Sequence, residues 1–192
     1  MTAAVLTLDQ QAELRQVQDY LNSIRTLSSR FEQASDNGGV AAGQLYLARP
    51  GGMRFEYDPP VPILLIADGR RIHYYDKDLH QLSELDVEDT PMAFLLRDVI
   101  SLSGDVTVTA FEHRPGAIRL TVAPTGALDR DLVTLVLDDQ PLALRQWTMI
   151  NHQQKAVTLT LTDAHYGTPI DPSLFVWTDP RPAETGVWST DQ

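Results

Sequence analysis

The chain has 192 residues, 43% hydrophobic and 21% charged, a composition that builds one sizeable core and excludes disorder as a description of the whole. Its 26 acidic and 15 basic residues leave a net charge of −11, which repels phosphate backbones and anionic headgroups and counts against nucleic-acid binding. There is no cysteine, which excludes disulfides, thiolate metal sites and cysteine nucleophiles, and no run approaches the ~18 apolar residues of a membrane-spanning helix.

Residues 1–8 (MTAAVLTL) show no basic leader and no long apolar run, so no signal peptide is read in them. From about Asp9 to Leu27, Leu14, Val17, Leu21 and Ile24 recur at spacings of three and four, with Tyr20 and Leu27 beside them. Glu13, Arg15, Gln16, Asp19 and Arg25 occupy the opposite face. This pattern predicts an amphipathic helix over about 9–27, N-capped by Asp9.

From about Ser28 the period changes to two. Met53, Phe55 and Tyr57 alternate with Arg54 and Glu56; Val106 and Val108, then Ile118, Leu120 and Val122, then Val157, Leu159 and Leu161 alternate with polar residues. Each run predicts a strand with one apolar and one wet face, as antiparallel sheets have. Asp36-Asn37-Gly38-Gly39, Arg49-Pro50-Gly51-Gly52, Asp68-Gly69, Arg114-Pro115-Gly116 and Pro124-Thr125-Gly126 supply turns between them. About ten or eleven such runs form one meander with no fixed repeat and no linker, which predicts a single domain over 1–192.

A second helix is predicted over about 90–98, with Thr90 at the N-cap and Pro91 at the first helical position. Every residue from Met92 to Leu96 is apolar, so this helix has no wet face and must bury itself. After Trp177 the chain turns polar and proline-bearing, which reads as a tail (179–192) or an added edge segment. The architecture is mainly β (α+β): a single large curved antiparallel sheet whose concave apolar face needs helices as a cover.

Chemistry is sparse. His73, His80, His113, His152 and His165 are scattered without metal-ligand spacing, and neither a nucleophile elbow nor a nucleotide-binding glycine motif occurs. Glu84, Asp86 and Glu88 alternate with Leu85 and Val87, the pattern of a strand with a solvated face. No catalytic residue, metal site or cofactor is predicted.

One ordered set of segments carries more. Phe31-Glu32-Gln33 follows the first helix and precedes Gly43-Gln44-Leu45-Tyr46-Leu47-Ala48-Arg49-Pro50. Then come Met53-Arg54-Phe55-Glu56-Tyr57, Ile66-Ala67-Asp68-Gly69, the aromatic Ile72-His73-Tyr74-Tyr75-Asp76, and Thr90-Pro91 opening the apolar helix. This order and spacing resemble the periplasmic outer-membrane lipoprotein carriers of the LolA type, in motif detail over the N-terminal half and in strand rhythm beyond it.

The resemblance implies an unclosed β-barrel of about 11 strands, hollow and apolar inside, under a lid of two or three α-helices. It implies a periplasmic chaperone, a monomer without cofactor, that takes lipoproteins from an inner-membrane ABC transporter of the LolCDE type to an outer-membrane acceptor of the LolB type. Arg49 matches the arginine that holds the lid shut in such carriers, and Pro50 biases it to an extended conformation. Leu45, Leu47, Met53, Phe55, Tyr57 and Leu65 match the inward face, and Met92, Leu95 and Leu96 would line the lid. Leu14, Val17, Leu21 and Ile24 are placed on the cavity side of the first helix by periodicity alone. Core packing and cavity lining both demand apolar side chains, so the pattern leaves both open. The same barrel would also suit a carrier of another lipid class or a lipid-sensing regulatory protein.

Overall fold

Thr7, not Asp9, starts the first helix. In the computed structural model, which describes residues 2–151 and 153–181, α1 runs Leu8–Ser23 with Thr7 as its N-cap. Thr7 Oγ1 accepts from Gln10 N (3.2 Å) and Gln10 Oε1 accepts from Thr7 N (3.0 Å). This reciprocal capping box satisfies two donors that the helix itself leaves unpaired. Asp9 lies in the first turn, where its charge suits the positive end of the helix dipole. The helix stops at Ser23, with Ile24 as C-cap, and Leu27 already belongs to a strand. The apolar stripe reads through this boundary because Leu21, Ile24 and Leu27 enter the same core on both sides of it.

The strands are β1 (Thr26–Ser35), β2 (Val40–Ala48), β3 (Gly52–Tyr57), β4 (Ile63–Asp68), β5 (Arg71–Asp76), β6 (Gln81–Asp86), β7 (Val106–Arg114), β8 (Ala117–Pro124), β9 (Leu132–Asp139), β10 (Leu142–Ile150) and β11 (Ala156–Tyr166). They form one antiparallel sheet of 11 strands in the order β6-β5-β4-β3-β2-β1-β11-β10-β9-β8-β7. The meander breaks once: the chain leaves one edge at β6, passes through the lid segment and restarts at the opposite edge with β7. No strand pairing joins β6 to β7 among the described residues, so the barrel is unclosed. Ala4 N donates to Val108 O (2.9 Å), which covers part of the β7 edge.

Between the edges, the second helix is shorter than the sequence predicts. α2 is a single turn, Ala93–Leu96, preceded by a 3₁₀ turn, Val87–Asp89. Thr90 Oγ1 donates to Val87 O (2.7 Å) and so closes the 3₁₀ turn rather than capping the helix, whose N-cap is Met92. One turn gains little from helix propensity, so burial of all five apolar residues from Met92 to Leu96 holds it in place.

The inner face of the sheet follows the period-two pattern, with three register shifts, one of them between β1 and β11 at Ser28/Arg30. β-bulges after Val108 and after Leu144 insert an extra residue, so that Val108 and Phe111, and Leu144 and Trp147, point inward three apart instead of two. Deep in the core, Phe31 is fully buried and meets Phe55 and Tyr57 edge-on, with ring centroids 5.2 and 5.1 Å apart. Gly43, opposite Phe31 on β2, makes room for that ring: a Cβ there would come within 2.8 Å of it and 2.1 Å of the Glu56 carbonyl oxygen.

After β11 the chain returns across the outer face of β3, β4 and β5. Phe175, in a 3₁₀ turn over Pro172–Phe175, packs on Gly52, and Arg54 Nη1 donates to Leu174 O (3.0 Å). Trp177 stacks on His73 at 5.1 Å and 7°, and lies 5.7 Å from Tyr75. The segment up to residue 181 is therefore a cover on the outer face, which explains why Ile66, His73 and Tyr75 are buried although they point away from the core. His73 Nε2 lies 3.0 Å from Asp68 Oδ2. Burial opposes ionisation of Asp68, but hydrogen bonds from Arg71 N, His73 and Arg70 N outweigh it and bring its pKa down to about 2. The predicted tail from 182 onward lies outside the described residues.

On the far side, His113 of β7 ties α1 to the sheet. Its Nδ1 is 3.1 Å from Glu13 Oε1 and its Nε2 is 3.3 Å from Asp139 Oδ2. The hydrogen bond to Glu13 and then that to Asp139 raise the imidazole's pKa above the ordinary 6.5, while Gly116 N and then His113 lower that of Asp139 below 3.8. The His113 contribution is complete below pH 6.5 and is lost as pH rises through the raised value. That of Asp139 is complete above pH 3.8 and is lost as pH falls through the lowered value. Melting temperatures measured between pH 6 and 8.5 are therefore expected to fall with rising pH in the native protein and to change less in His113→Gln. Parallel curves would show that the contact contributes nothing.

Candidate functional site

The inward run of β2, Leu45 then Leu47, ends on Arg49, the first residue past the strand. Its backbone N donates to Arg25 O (2.8 Å), which holds the turn against the start of β1. Arg49, 8% exposed as a residue, extends its guanidinium to the end of α1 and to the segment after α2. Nη1 donates to the carbonyls of Leu21 (2.8 Å) and Ile24 (3.0 Å) at the end of α1. Nε donates to Arg97 O (2.8 Å), and Nη2 to Asp98 O (2.9 Å) and Asn22 Oδ1 (3.4 Å).

These acceptors are four backbone carbonyls and one amide oxygen, with no carboxylate among them. The carbonyls at a helix C-terminus lack partners within the helix and form the negative end of its dipole, so a buried cation is at home there. Burial first, and then the positive charge of Arg25, lower the Arg49 pKa from its ordinary value, with Asp98 opposing them. The Asp98 carboxylate is engaged by Arg25 at 2.6 Å. Arg49 thus joins the sheet, α1 and the segment after α2 through one planar fork, which a lysine could not reproduce.

Other polar bonds ring the same lid. Asn22 Oδ1 accepts from Ile100 N and its Nδ2 donates to Ile100 O, both at 2.8 Å, while Gln18 Oε1 accepts from Leu102 N (2.9 Å). Gly51 N donates to Leu96 O (2.8 Å), and Arg97 pairs with Glu88 and Asp105. The lid is held at its rim by hydrogen bonds and underneath by apolar contact.

Directly below Arg49 lies an apolar cavity of about 30 Å³. Leu21 and Ile24 line it from α1, Leu47 and Met53 from the sheet, and Met92, Leu95 and Leu96 from the lid. Leu27, Ile100, Leu144 and Trp147 complete it. For scale, an engineered apolar cavity of ~150 Å³ takes one benzene ring. Among the described residues, this chamber is far smaller than the hollow interior that the resemblance implies, and the side chains of Met92, Leu95 and Leu96 close over it.

The remaining residues of the predicted set lie elsewhere in the core. Val17 is fully buried beneath α1 and Leu14 is half-buried beside it. Phe55 belongs to the aromatic layer around Phe31, with buried Leu45 facing it from β2 and half-buried Leu65 from β4. Tyr57, also half-buried, donates from its hydroxyl to Gln33 Oε1 (2.6 Å). Burial, and then Tyr74, push the Tyr57 phenol up to about 12, so it remains a neutral donor at physiological pH. Sequence reasoning missed Gln18, Asn22, Ile100, Leu144 and Trp147. The first two carry no periodic signal, and the bulge after Leu144 takes Trp147 out of the alternation.

With this geometry in place, comparison with known proteins is specific. The family model described as outer membrane lipoprotein carrier protein LolA matches residues 22–178. The chain belongs to this family. An outer-membrane lipoprotein carrier protein of Pseudomonas aeruginosa is 35% identical over 118 residues, 57% of this chain and 57% of that one. An uncharacterized protein of Rickettsia prowazekii is 25% identical over 121 residues, 63% of this chain and 57% of that one. The chain thus spans little more than half the length of these relatives in the matched region. Among solved structures, an uncharacterized conserved protein from Thermus thermophilus aligns over 88% of this chain and 95% of that one, with a TM-score of 0.51 at 11% identity, which shows a shared fold. In this LolA-family chain no helix among the described residues is long and apolar enough to cross a membrane.

Proposed function

We propose that this chain is a periplasmic carrier that shelters the acyl chains of lipoproteins beneath its lid. It would receive them from an inner-membrane ABC transporter of the LolCDE type and deliver them, as a monomer and without a cofactor, to an outer-membrane acceptor of the LolB type. Membership of the LolA family supports this reading. The observation that carries it is the placement of Arg49, a buried cation whose bonds all go to the two lid-forming segments, directly over an apolar chamber.

Magnitudes explain why such a carrier needs a closable lid. Each buried CH₂ is worth ~0.8 kcal/mol, so one ~16-carbon chain is worth on the order of 12 kcal/mol. Three fully sequestered chains would exceed the ~18–21 kcal/mol at which noncovalent affinity saturates. A shuttle that bound with that strength would never unload. A stable closed form competes with the loaded form and reduces net affinity in proportion to its population.

Native mass spectrometry of the protein captured from its own host tests the proposal. The expected adduct has the mass of a triacylated lipoprotein. A diacyl phospholipid or glycolipid adduct would assign the chamber to another lipid class. A bare chain, even when the outer-membrane acceptor is depleted, would overturn the carrier reading.

A further inference from the structure

One apolar row crosses the inner face of the sheet from β1 to β6. The register sets Leu27 beside Leu47, then Met53, Ala67, Ile72 and finally Leu85. The first three line the lid chamber, Ala67 and Ile72 are buried, and Leu85 is 41% exposed. The neighbouring row opens to water in the same direction: Leu45 and Phe55 are buried, Leu65 is half-buried, and Tyr74 on β5 is 41% exposed. At ~4.8 Å between neighbouring strands, this apolar path runs about 14 Å from β3 to β6.

The path ends on the unprotected edge of the sheet. β6 pairs with β5 over six residues without a register shift and carries neither proline nor lysine. Among the described residues, no other backbone group bonds to it. The opposite edge differs: β7 is bulged after Val108 and partly covered by Ala4. An open row of backbone donors and acceptors beside exposed apolar side chains is the arrangement that accepts an added extended segment. Glu84 is engaged by Arg71 and His73, whereas exposed Asp86 has no basic partner among the described residues. A second copy would set acidic strand against acidic strand, so a strand bearing lysine or arginine is the better match.

Lipoprotein cargo brings such a segment to the right place, because the residue that carries its acyl chains continues into polypeptide. We infer that the polypeptide next to the acylated residue adds to β6 as a further strand while the acyl chains lie beneath the lid. This rests on the carrier reading and names the second part of its ligand. Main-chain bonds supply affinity without reading side chains, so cargoes of different sequence share one carrier. A lipid without a polypeptide forgoes the contact.

The probes are synthetic triacylated cysteinyl peptides whose tail, as long as β6, alternates threonine and lysine. Two variants carry N-methyl groups on alternate tail nitrogens, one on the odd set and the other on the even set. A last probe is the triacylated cysteine amide without a tail. All tailed probes share the same charge and acyl chains, and an added edge strand donates to β6 from one set of nitrogens alone. One methylated probe is therefore expected to bind the full chain about 10-fold more weakly than the parent, and the other within about 2-fold of it, as the loss of a few main-chain hydrogen bonds requires. Amide hydrogen exchange across Gln81–Asp86 should slow with the parent and not with the tailless probe.

Equal binding by all tailed probes, with unchanged exchange in β6, would leave the tail in solvent and overturn the inference. So would equal losses in both methylated probes, or protection of β7 instead of β6. Protection of β6 that grows with protein concentration in the absence of any probe would assign the edge to a second copy and overturn it as well. In each of these cases, binding of the tailless probe leaves the carrier reading standing. If neither the parent nor the tailless probe binds, the carrier reading falls and takes this inference with it.

Discussion

Arg49→Leu should load acylated cargo and then fail to hand it on. The substitution keeps an apolar side chain under the lid and removes five hydrogen bonds, so the carbonyls of Leu21, Ile24, Arg97 and Asp98 lose their shared donor. A buried acceptor left without a partner costs ~1–3 kcal/mol. The closed form bears that cost, whereas the open form can hydrate those groups. A loss of ~3 kcal/mol in closure raises the open population roughly 100-fold and increases apparent ligand affinity by up to the same factor. Transfer to the acceptor should slow correspondingly. Arg49→Lys, with its charge but without the planar fork, should fall between the two. A reconstituted transfer assay decides the matter: normal delivery by Arg49→Leu would remove the latch role.

Gly43→Ala should be the most damaging single-methyl change in the sheet. The added carbon would meet the Glu56 carbonyl oxygen at 2.1 Å and the Phe31 ring at 2.8 Å, so both the β2–β3 pairing and the aromatic layer must shift. Overpacking by one methyl ordinarily costs ~1–3 kcal/mol, and a clash with backbone belongs at or above the top of that range. Denaturant unfolding should show a lower midpoint at an unchanged slope. Phe31→Leu in the Gly43→Ala background should recover part of the loss, because it removes one of the two clashes. A neutral Gly43→Ala would show that the layer is looser than its ring contacts indicate.

Much of this fold is legible from periodicity because the sheet buries one face. Met53, Phe55 and Tyr57, or Ile118, Leu120 and Val122, announce both the strand and its inner side. Legibility fails where a local interaction overrides the pattern. Thr90-Pro91 has the chemistry of a helix start, but the Thr90 hydroxyl is spent on Val87 O and the helix begins later. The stripe through Leu21, Ile24 and Leu27 conceals a helix end because helix and strand feed one core.

The candidate site is half visible for a related reason. Arg49 stands out as a charge at the end of an apolar run, and its lid role is suggested by the resemblance. Its partners are mostly carbonyls, which every residue possesses, so no side-chain pattern marks Leu21, Ile24, Arg97 or Asp98 as acceptors. Asn22 and Gln18 lie among ordinary polar helix residues, and only the fold brings Ile100 and Leu102 to them across 78 and 84 positions of sequence.

The seam between Gln81–Asp86 and Val106–Arg114 sets how this wall can yield. In a fully closed cylinder, widening the lumen would tear backbone ladders. Here the two rims can part while all ten ladders stay intact, because the strands flanking the gap share no rungs. The free energy of making space is then confined to the groups that bridge the slit, and the woven part of the molecule can act as a spring-like frame around a guest of variable girth.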